Sequence, residues 1–426
     1  MQIDCASFVP ARLQRFPSKS CFISTVSLMR ESRVDEPKLR MGLIGGGGKG
    51  FIGRVHATAA TLDRQADLVA GAFSSDPQKA KKSAFDFGVS ERRAYRTYRE
   101  LLESESCLPS SERIHFVSIA TPNYTHAEIA LAALESGFHV VCDKPMTTQL
   151  SDALRLAEAV ETSGKVFVLT HNYSGYPMIR QAREMIQQGD LGEILAIRVS
   201  YKQGWMHGMN ADSTPERGAW KRDPLKNGQA GSLGDVGTHA FHLLRFVTGQ
   251  DPESLMCKMN SFSGHHELDD YGSALFQMKG GAFGSVTWSQ VSHGRLNDLT
   301  IEVDGSNAAL SWSQEDPNRL IVGRLGKPKM TYERNPNAEY TTADARAACR
   351  LPPGHPEAFY EAFANIYRDA YVLMRNQDKW QGSSAKKYST LCPTVADGVE
   401  GVLFTHLCMQ SNASESSWVR WKEYPK

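Results

Sequence analysis

The sequence predicts an α/β architecture: a doubly wound parallel sheet, followed by an α+β domain with an open, mostly antiparallel sheet. Three observations predict it. The apolar pair Leu43-Ile44 runs into the cluster Gly45-Gly46-Gly47-Gly48-Lys49-Gly50-Phe51-Ile52-Gly53 and then into a helical pattern. Strand-like and helix-like segments alternate from Arg40 to Leu169. After Asn172 strand follows strand with short turns between. Alternating β-α-β units demand parallel strands with crossover helices, whereas consecutive strands joined by tight turns pair antiparallel.

The elements follow in order. Arg40–Ile44 reads as a strand and Gly53–Leu62 as a helix, then Asp67–Phe73 as strand and Pro77–Phe87 as helix. His115–Ala120 is a third strand. Asn123 caps a helix that runs to Ser136, with Gly137 in the terminating position. Phe138–Cys142, the helix Leu150–Ser163 and the strand Lys165–Leu169 complete the first domain, 40–170. In 171–426 the expected elements are a helix at Pro177–Gln188, a strand at Glu193–Gln203 and a helix at Asp235–Thr248. The strands Ser273–Met278, Ala282–Trp288, Leu299–Val303 and Ala308–Trp312 come next, then helices at Glu357–Arg375 and Val395–Gln410. Helices back one side of this sheet, and its other face calls for a second subunit, so a homodimer or homotetramer is expected.

Composition narrows the function. A chain of 426 residues exceeds one ordinary core, so two domains are expected. Net charge is +1, which argues against a nucleic-acid partner. No apolar run reaches membrane-spanning length, so no membrane role is expected. The eight cysteines never stand at C-x-x-C spacing, which points to reduced thiols in a cytoplasmic protein rather than to a zinc ribbon. Residues 1–39 carry Arg12, Arg15, Lys19 and several serines without periodicity. They read as a disordered extension, or as sequence upstream of initiation at Met29 or Met41, ahead of a targeting peptide.

The glycine cluster fits G-x-G-x-x-G in two registers, Gly45/Gly47/Gly50 and Gly48/Gly50/Gly53. Following the first strand of a β-α-β series, it is expected to cradle a pyrophosphate: Gly45, Gly47 and Gly48 in the loop, then Phe51, Ile52 and Gly53 at the helix start. At the end of the second strand Ser74 occupies the place of an acidic ribose ligand. Asp76 is better placed to cap the next helix, and Lys79 is the nearest base. The weak basic clamp favours NAD, with NADP left open. Thr121, Asn123 and His126 follow the third strand, where a nicotinamide-side ribose would lie.

Oxidising an alcohol needs a base for the hydroxyl proton, a group that stabilises the developing alkoxide and a hydride acceptor. Lys144 in Cys142-Asp143-Lys144-Pro145 ends a buried-looking strand and can reach a reacting oxygen. Asp235 and His239 stand four apart on one helix face, so the carboxylate can orient the imidazole. His239 and His242 share that helix, but no third ligand is evident and no metal is expected.

This set, with T-P-N-x-x-H at Thr121, D-K-P at Asp143 and G-D-x-G-x-H at Gly234, resembles the Gfo/Idh/MocA family of NAD(P)-dependent oxidoreductases, from about Met41 to the C-terminus. The resemblance implies a Rossmann domain and a glyceraldehyde-phosphate-dehydrogenase-like α+β domain. It implies action on sugars, cyclitols and their derivatives, with closest similarity to the inositol, levoglucosan and glycoside dehydrogenase branch. It casts His239 as general base, Asp235 as its tuner and Lys144 as the group that polarises the oxygen and orients the nicotinamide. Asp143 adjoins the cofactor, and Asn172 lies at the substrate–cofactor interface. Tyr173, Lys202, Trp205, Trp220 and Arg222 are expected around the sugar or polyol. The chain departs from the pattern in Asp143 for the commoner Glu, in a longer phosphate loop and in His242 where many members carry Asp. Two further readings remain open: redox-neutral glycoside cleavage with recycled NAD, and a nucleotide- or sugar-binding regulator without turnover.

Overall fold

Five short parallel strands carry the glycine loop at one end of the computed structural model. The structure describes residues 36–48, 50–206, 227–263, 268–377 and 391–421. All elements below belong to the unit Pro37–Lys426. The expected N-terminal extension lies outside the described residues up to position 35, and the first strand begins at Leu39, within the stretch assigned to it.

The strands are β1 (Leu39–Gly45), β2 (Ala66–Ala72), β3 (Phe116–Ala120), β4 (His139–Cys142) and β5 (Phe167–Leu169). The helices between them are α1 (Phe51–Thr61), α2 (Pro77–Asp86), α3 (Tyr98–Ser106), α4 (His126–Glu135) and α5 (Leu150–Ser163). Strands β3 and β4 are buried at every position, as a sheet covered on both faces requires. One core joins Val55, Ala59 and Phe116 to Phe363, Tyr367 and Tyr371. The other joins Val117, Val140, Leu101, Ile129 and Leu156. The sheet order is β2-β1-β3-β4-β5, so it reverses between β1 and β3, which opens a crevice at their carboxyl ends.

Helix α6 (Pro177–Gln187) leads to β6 (Ile194–Lys202), and α7 (Thr238–Thr248) follows a π-turn at Leu233–Gly237. Strands β7 (Pro252–Asn260), β8 (Tyr271–Met278), β9 (Phe283–Ser289), β10 (Asp298–Gly305), β11 (Ala308–Ser313), β12 (Arg319–Arg324) and β13 (Met330–Glu333) follow. Helices α8 (Ala343–Ala348), α9 (Phe359–Arg375) and α10 (Val395–Ala413) precede β14 (Val419–Arg420). The nine-stranded sheet runs β13-β12-β11-β10-β6-β9-β8-β7-β14, and its pairs are antiparallel except β6 with β9. Its inner face buries Ile197, Val199, Val286 and Ile301 against Ile179, Leu244 and Phe404 of the helices. Helix α9 comes late in the chain yet packs on α1 of the first sheet. No described helix is long and apolar enough to cross a membrane.

Candidate active site

The glycine loop is shaped by contact. Gly45 ends β1 at φ +86°, and a Cβ there would sit 2.6 Å from the Ala120 carbonyl oxygen. Only glycine meets both conditions. A Cβ on Gly46 would lie 2.5 Å from the Gly53 Cα, so two glycines press the start of α1 onto the strand end. Gly47 N–H donates to the Phe73 carbonyl (3.2 Å) and Gly48 N–H to Ser83 Oγ (2.9 Å). Nothing lies within 4 Å of a Cβ built on Gly48. Among the described residues no side chain caps the N-terminus of α1, so its first-turn amides are left for an anion. Phe51 and Ile52 stand at that helix start and line the cavity described below.

Beyond β2, Asp76 Oδ1 accepts from Gln78 N (2.9 Å) and Lys79 N (3.2 Å), so it caps α2. Ser74 Oγ accepts from Asp76 N at 3.2 Å and holds the turn. Beyond β3, Thr121 Oγ1 accepts from Thr125 Oγ1 (2.7 Å), and Asn123 Nδ2 donates to Asn227 Oδ1 (3.0 Å). His126 differs from expectation. It is fully buried, with Nδ1 2.8 Å from the Pro145 carbonyl oxygen and Nε2 2.9 Å from that of Thr121. Its ring clamps two loops together and does not face the cavity, because it starts α4 beneath them.

A cavity of about 590 Å³ opens beside the glycine loop. Asp143, Lys144, Asn172, Tyr173, Trp205, Asp235 and His239 all line it. Lys144 Nζ donates to Asp235 Oδ1 at 3.0 Å and also to the Asp235 carbonyl oxygen. Asp235 Oδ2 accepts from Gln290 Nε2 at 2.9 Å. The expected Asp235–imidazole hydrogen bond is not made at His239 Nδ1, which is buried without a partner among the described residues. Asp235 lies in the π-turn and His239 in the α-helix beyond it, so the ordinary four-residue alignment is lost. The carboxylate turns to Lys144 instead. Burial, with Lys144, His171 and His242 nearby, pushes the His239 pKa well below the usual 6.5, against an upward pull from Asp235. The imidazole is therefore neutral at pH 7 and able to accept a proton. His171 meets His239 edge-on at 5.4 Å and stacks on His242 at 4.2 Å. Burial pushes His242 down to about 3.

The far wall is a polar ring. Tyr201 hydroxyl donates to Asn297 Oδ1 (2.7 Å), which also accepts from Gln203 Nε2 (2.7 Å). Asn297 Nδ2 donates to the Tyr173 hydroxyl (3.2 Å), which lies 2.5 Å from that of Tyr201. Trp205 Nε1 donates to Gln203 Oε1 at 2.9 Å. Asn172 Nδ2 is buried at the wall without a partner among the described residues. Lys202, expected around the sugar, is not among the residues that line the cavity. Strand alternation sends Tyr201 into the cavity and Lys202 to the opposite face. Trp220 and Arg222 lie outside the described residues. Tyr201, Gln203, Asn297, Gln314, Phe359 and Phe363 line the cavity and were not anticipated. The period-two pattern Ile197, Val199, Tyr201 carried a signal for Tyr201; the others reach the site through tertiary folding alone.

Residues 39–182 match the oxidoreductase family with an NAD-binding Rossmann fold, and residues 179–311 match the GFO/IDH/MocA C-terminal domain. The chain is 30% identical to the uncharacterised oxidoreductase YfiI of Bacillus subtilis (strain 168) over 93% of this chain and 100% of that one. It is 28% identical to a levoglucosan dehydrogenase of Pseudarthrobacter phenanthrenivorans, over 67% of this chain and 76% of that one. Among solved structures it resembles an inositol dehydrogenase homologue from Azotobacter vinelandii complexed with NAD+, with a TM-score of 0.85 and 36% identity. That likeness covers 90% of this chain and 97% of the other.

Proposed function

We propose that this chain, which belongs to the Gfo/Idh/MocA family of NAD-dependent oxidoreductases, oxidises a secondary alcohol on a cyclitol, sugar or sugar derivative. One observation carries the reading. A neutral imidazole with a free nitrogen and a lysine held by a carboxylate share one cavity beside the glycine loop.

His239 takes the hydroxyl proton, its buried ring being neutral and so carrying a lone pair that can accept it. Lys144 donates toward the oxygen as negative charge develops there. Asp235 holds the lysine in place, and Gln290 holds Asp235. Bound NAD supplies the hydride acceptor. The loop glycines Gly45 to Gly48, with Gly53 and the uncapped start of α1, suit its pyrophosphate. Ser74 suits the adenosine ribose, while Thr121 and Asn123 suit the other ribose. Asn172, Tyr173, Tyr201, Gln203 and Asn297 offer donors and acceptors to ring hydroxyls, and Trp205 offers an apolar face. Trp220 and Arg222 belong to the same proposed binding set. The similarity to levoglucosan and inositol dehydrogenases supports this substrate class.

The outer face of the nine-stranded sheet leaves Tyr271, Phe283 and Ile321 exposed, which supports a homodimer or homotetramer. Sedimentation would resolve the stoichiometry, and a monomer at assay concentration would refute it.

Reduced-nicotinamide absorbance with NAD or NADP and a panel of inositols, aldoses, anhydrosugars and glycosides tests the activity. NADH formation with one polyol class is expected. Glycoside cleavage without NADH would favour recycled-cofactor chemistry, and nucleotide binding without turnover would favour a regulator.

A further inference from the structure

A line of buried polar groups runs beneath the cavity and ends on Asp143, the residue before Lys144. Ser118 of β3, His56 of α1 and Tyr367 of α9 are all fully shielded from solvent. Ser118 Oγ lies 2.7 Å from the Tyr367 hydroxyl, which lies 2.6 Å from His56 Nδ1. His56 Nε2 lies 3.7 Å from Asp143 Oδ1, an electrostatic contact, and has no hydrogen-bond partner among the described residues. The same carboxylate oxygen accepts from Thr170 Oγ1 at 2.9 Å.

Chemistry gives this line a direction. An ionised carboxylate only accepts, so the imidazole must turn an N–H toward it. A neutral ring protonated at Nε2 leaves Nδ1 as the acceptor. The Tyr367 hydroxyl then donates to Nδ1, and its oxygen accepts from Ser118. The opposite order would aim the Nε2 lone pair at Asp143.

We infer that Tyr367 and His56 are positioning residues for the reaction: they hold Asp143 as an anion beside Lys144, and so hold the lysine in register with Asp235 and the reacting oxygen. This rests on the hydride-transfer reading above. It makes a helix late in the chain part of the support for the cofactor-side lysine. Among the described residues, Thr170 bonds Asp143 directly, and the titratable and charged groups around it are His56 from α1, Tyr367 from α9, His126 from α4, His171 beyond β5, and its neighbours Cys142 and Lys144. Burial opposes ionisation of Asp143, but His56, Lys144 and His126 together hold its carboxyl below the usual range.

The test compares Tyr367→Phe with Tyr371→Phe in the full-length protein. Tyr371 lies one turn along the same helix, is equally buried and donates to the Ala60 carbonyl at 2.7 Å. Both variants lose one buried hydroxyl and should lose similar thermal stability. Only Tyr367→Phe should lower kcat, by about ten- to a hundredfold as a displaced catalytic group does, with KM unchanged. Beside the limb that His239 sets, a loss of kcat from protonation of Asp143 should appear at higher pH than in the unaltered protein, because Asp143 loses support for its charge. Combined with Asp143→Asn, the loss should be far less than the product of the single losses, since both act through one carboxylate. Equal kcat and pH profiles in the two tyrosine variants, or multiplicative losses in the double variant, would overturn the inference.

Side-chain nitrogen spectra, assigned with His56→Gln, judge the line without turnover. An Nε2–H tautomer at His56 that changes in Tyr367→Phe supports it, and an Nδ1–H tautomer in the unaltered protein overturns it. If no polyol is oxidised, the hydride-transfer reading fails by itself, and these spectra still decide the donor order.

Discussion

Replacing Lys144 with methionine keeps the length of the side chain and removes its charge. The ammonium sits 3.0 Å from Asp235 Oδ1, with the two side chains 14% and 23% exposed. At an effective dielectric of about 20 the gross attraction is roughly 5–6 kcal/mol, most of it offset by desolvation. What remains after substitution is a partly buried Asp235 supported by Gln290, at a cost of about 1–3 kcal/mol in folding stability. The catalytic loss is separate. If Lys144 stabilises the developing alkoxide, kcat should fall about 10²–10³-fold, or roughly 2.7–4 kcal/mol of transition-state stabilisation. NAD affinity should hold, because the glycine loop and the start of α1 are untouched. Denaturant unfolding, nucleotide titration and steady-state kinetics separate the three quantities. A variant that loses stability while kcat stays within about threefold would make Lys144 a structural ion pair and refute this reasoning.

His239→Ala should lower kcat by about 10²–10⁴-fold with NAD binding retained; steady-state kinetics beside nucleotide titration would expose the error if kcat held. Because His239 titrates well below 6.5, the acid limb of kcat/KM that it sets should lie below that pH; a limb centred above pH 7 in the pH–rate profile would contradict the assignment. Folding stability should also decline with acid. Burial depresses His115 and His139 to about 4 from an ordinary 6.5, so the unfolded chain binds more protons as pH falls through that window. Melting temperatures measured from pH 7 to pH 4 should fall, and a flat profile would count against burial of these rings. Gly53→Ala pushes a methyl into the Gly46 backbone, so unfolding should show a loss of about 1–3 kcal/mol, with weaker NAD binding by titration.

The first sheet was legible because its strands are short apolar runs, such as Phe116–Ala120, set between helices with clear stops at Gly137 and Gly164. Helix α3 was not, because its inward face consists of Leu101, Leu102 and Glu105 within a charged stretch. Glu105 is buried because Arg93, Tyr95 and the Ile114 amide bond it, which no local pattern announces. Strands β12 and β13 were missed at the sheet edge, where β13 buries no residue and carries no alternation of burial. Lys144, Asp235 and His239 were legible as short motifs, but their pairing was not. The π-turn that gives Asp235 to Lys144 is invisible in the spacing of Asp235 and His239. Lys202 stands one residue from the cavity-lining Tyr201, since a strand sends neighbours to opposite faces. Tyr367 and Asn297 meet the site only after the chain has folded back on itself.

The proposed reaction is direct hydride transfer from a ring carbon to NAD. It is tested most directly by incubating the enzyme with NAD and ring-deuterated cyclitols and sugars, then examining the nicotinamide by NMR. Reduced cofactor that carries deuterium at C4, in equal amount to a ketone product, is expected. Product formed without net deuterated NADH, or bound NAD that stays oxidised and unlabelled across the whole panel, would contradict it.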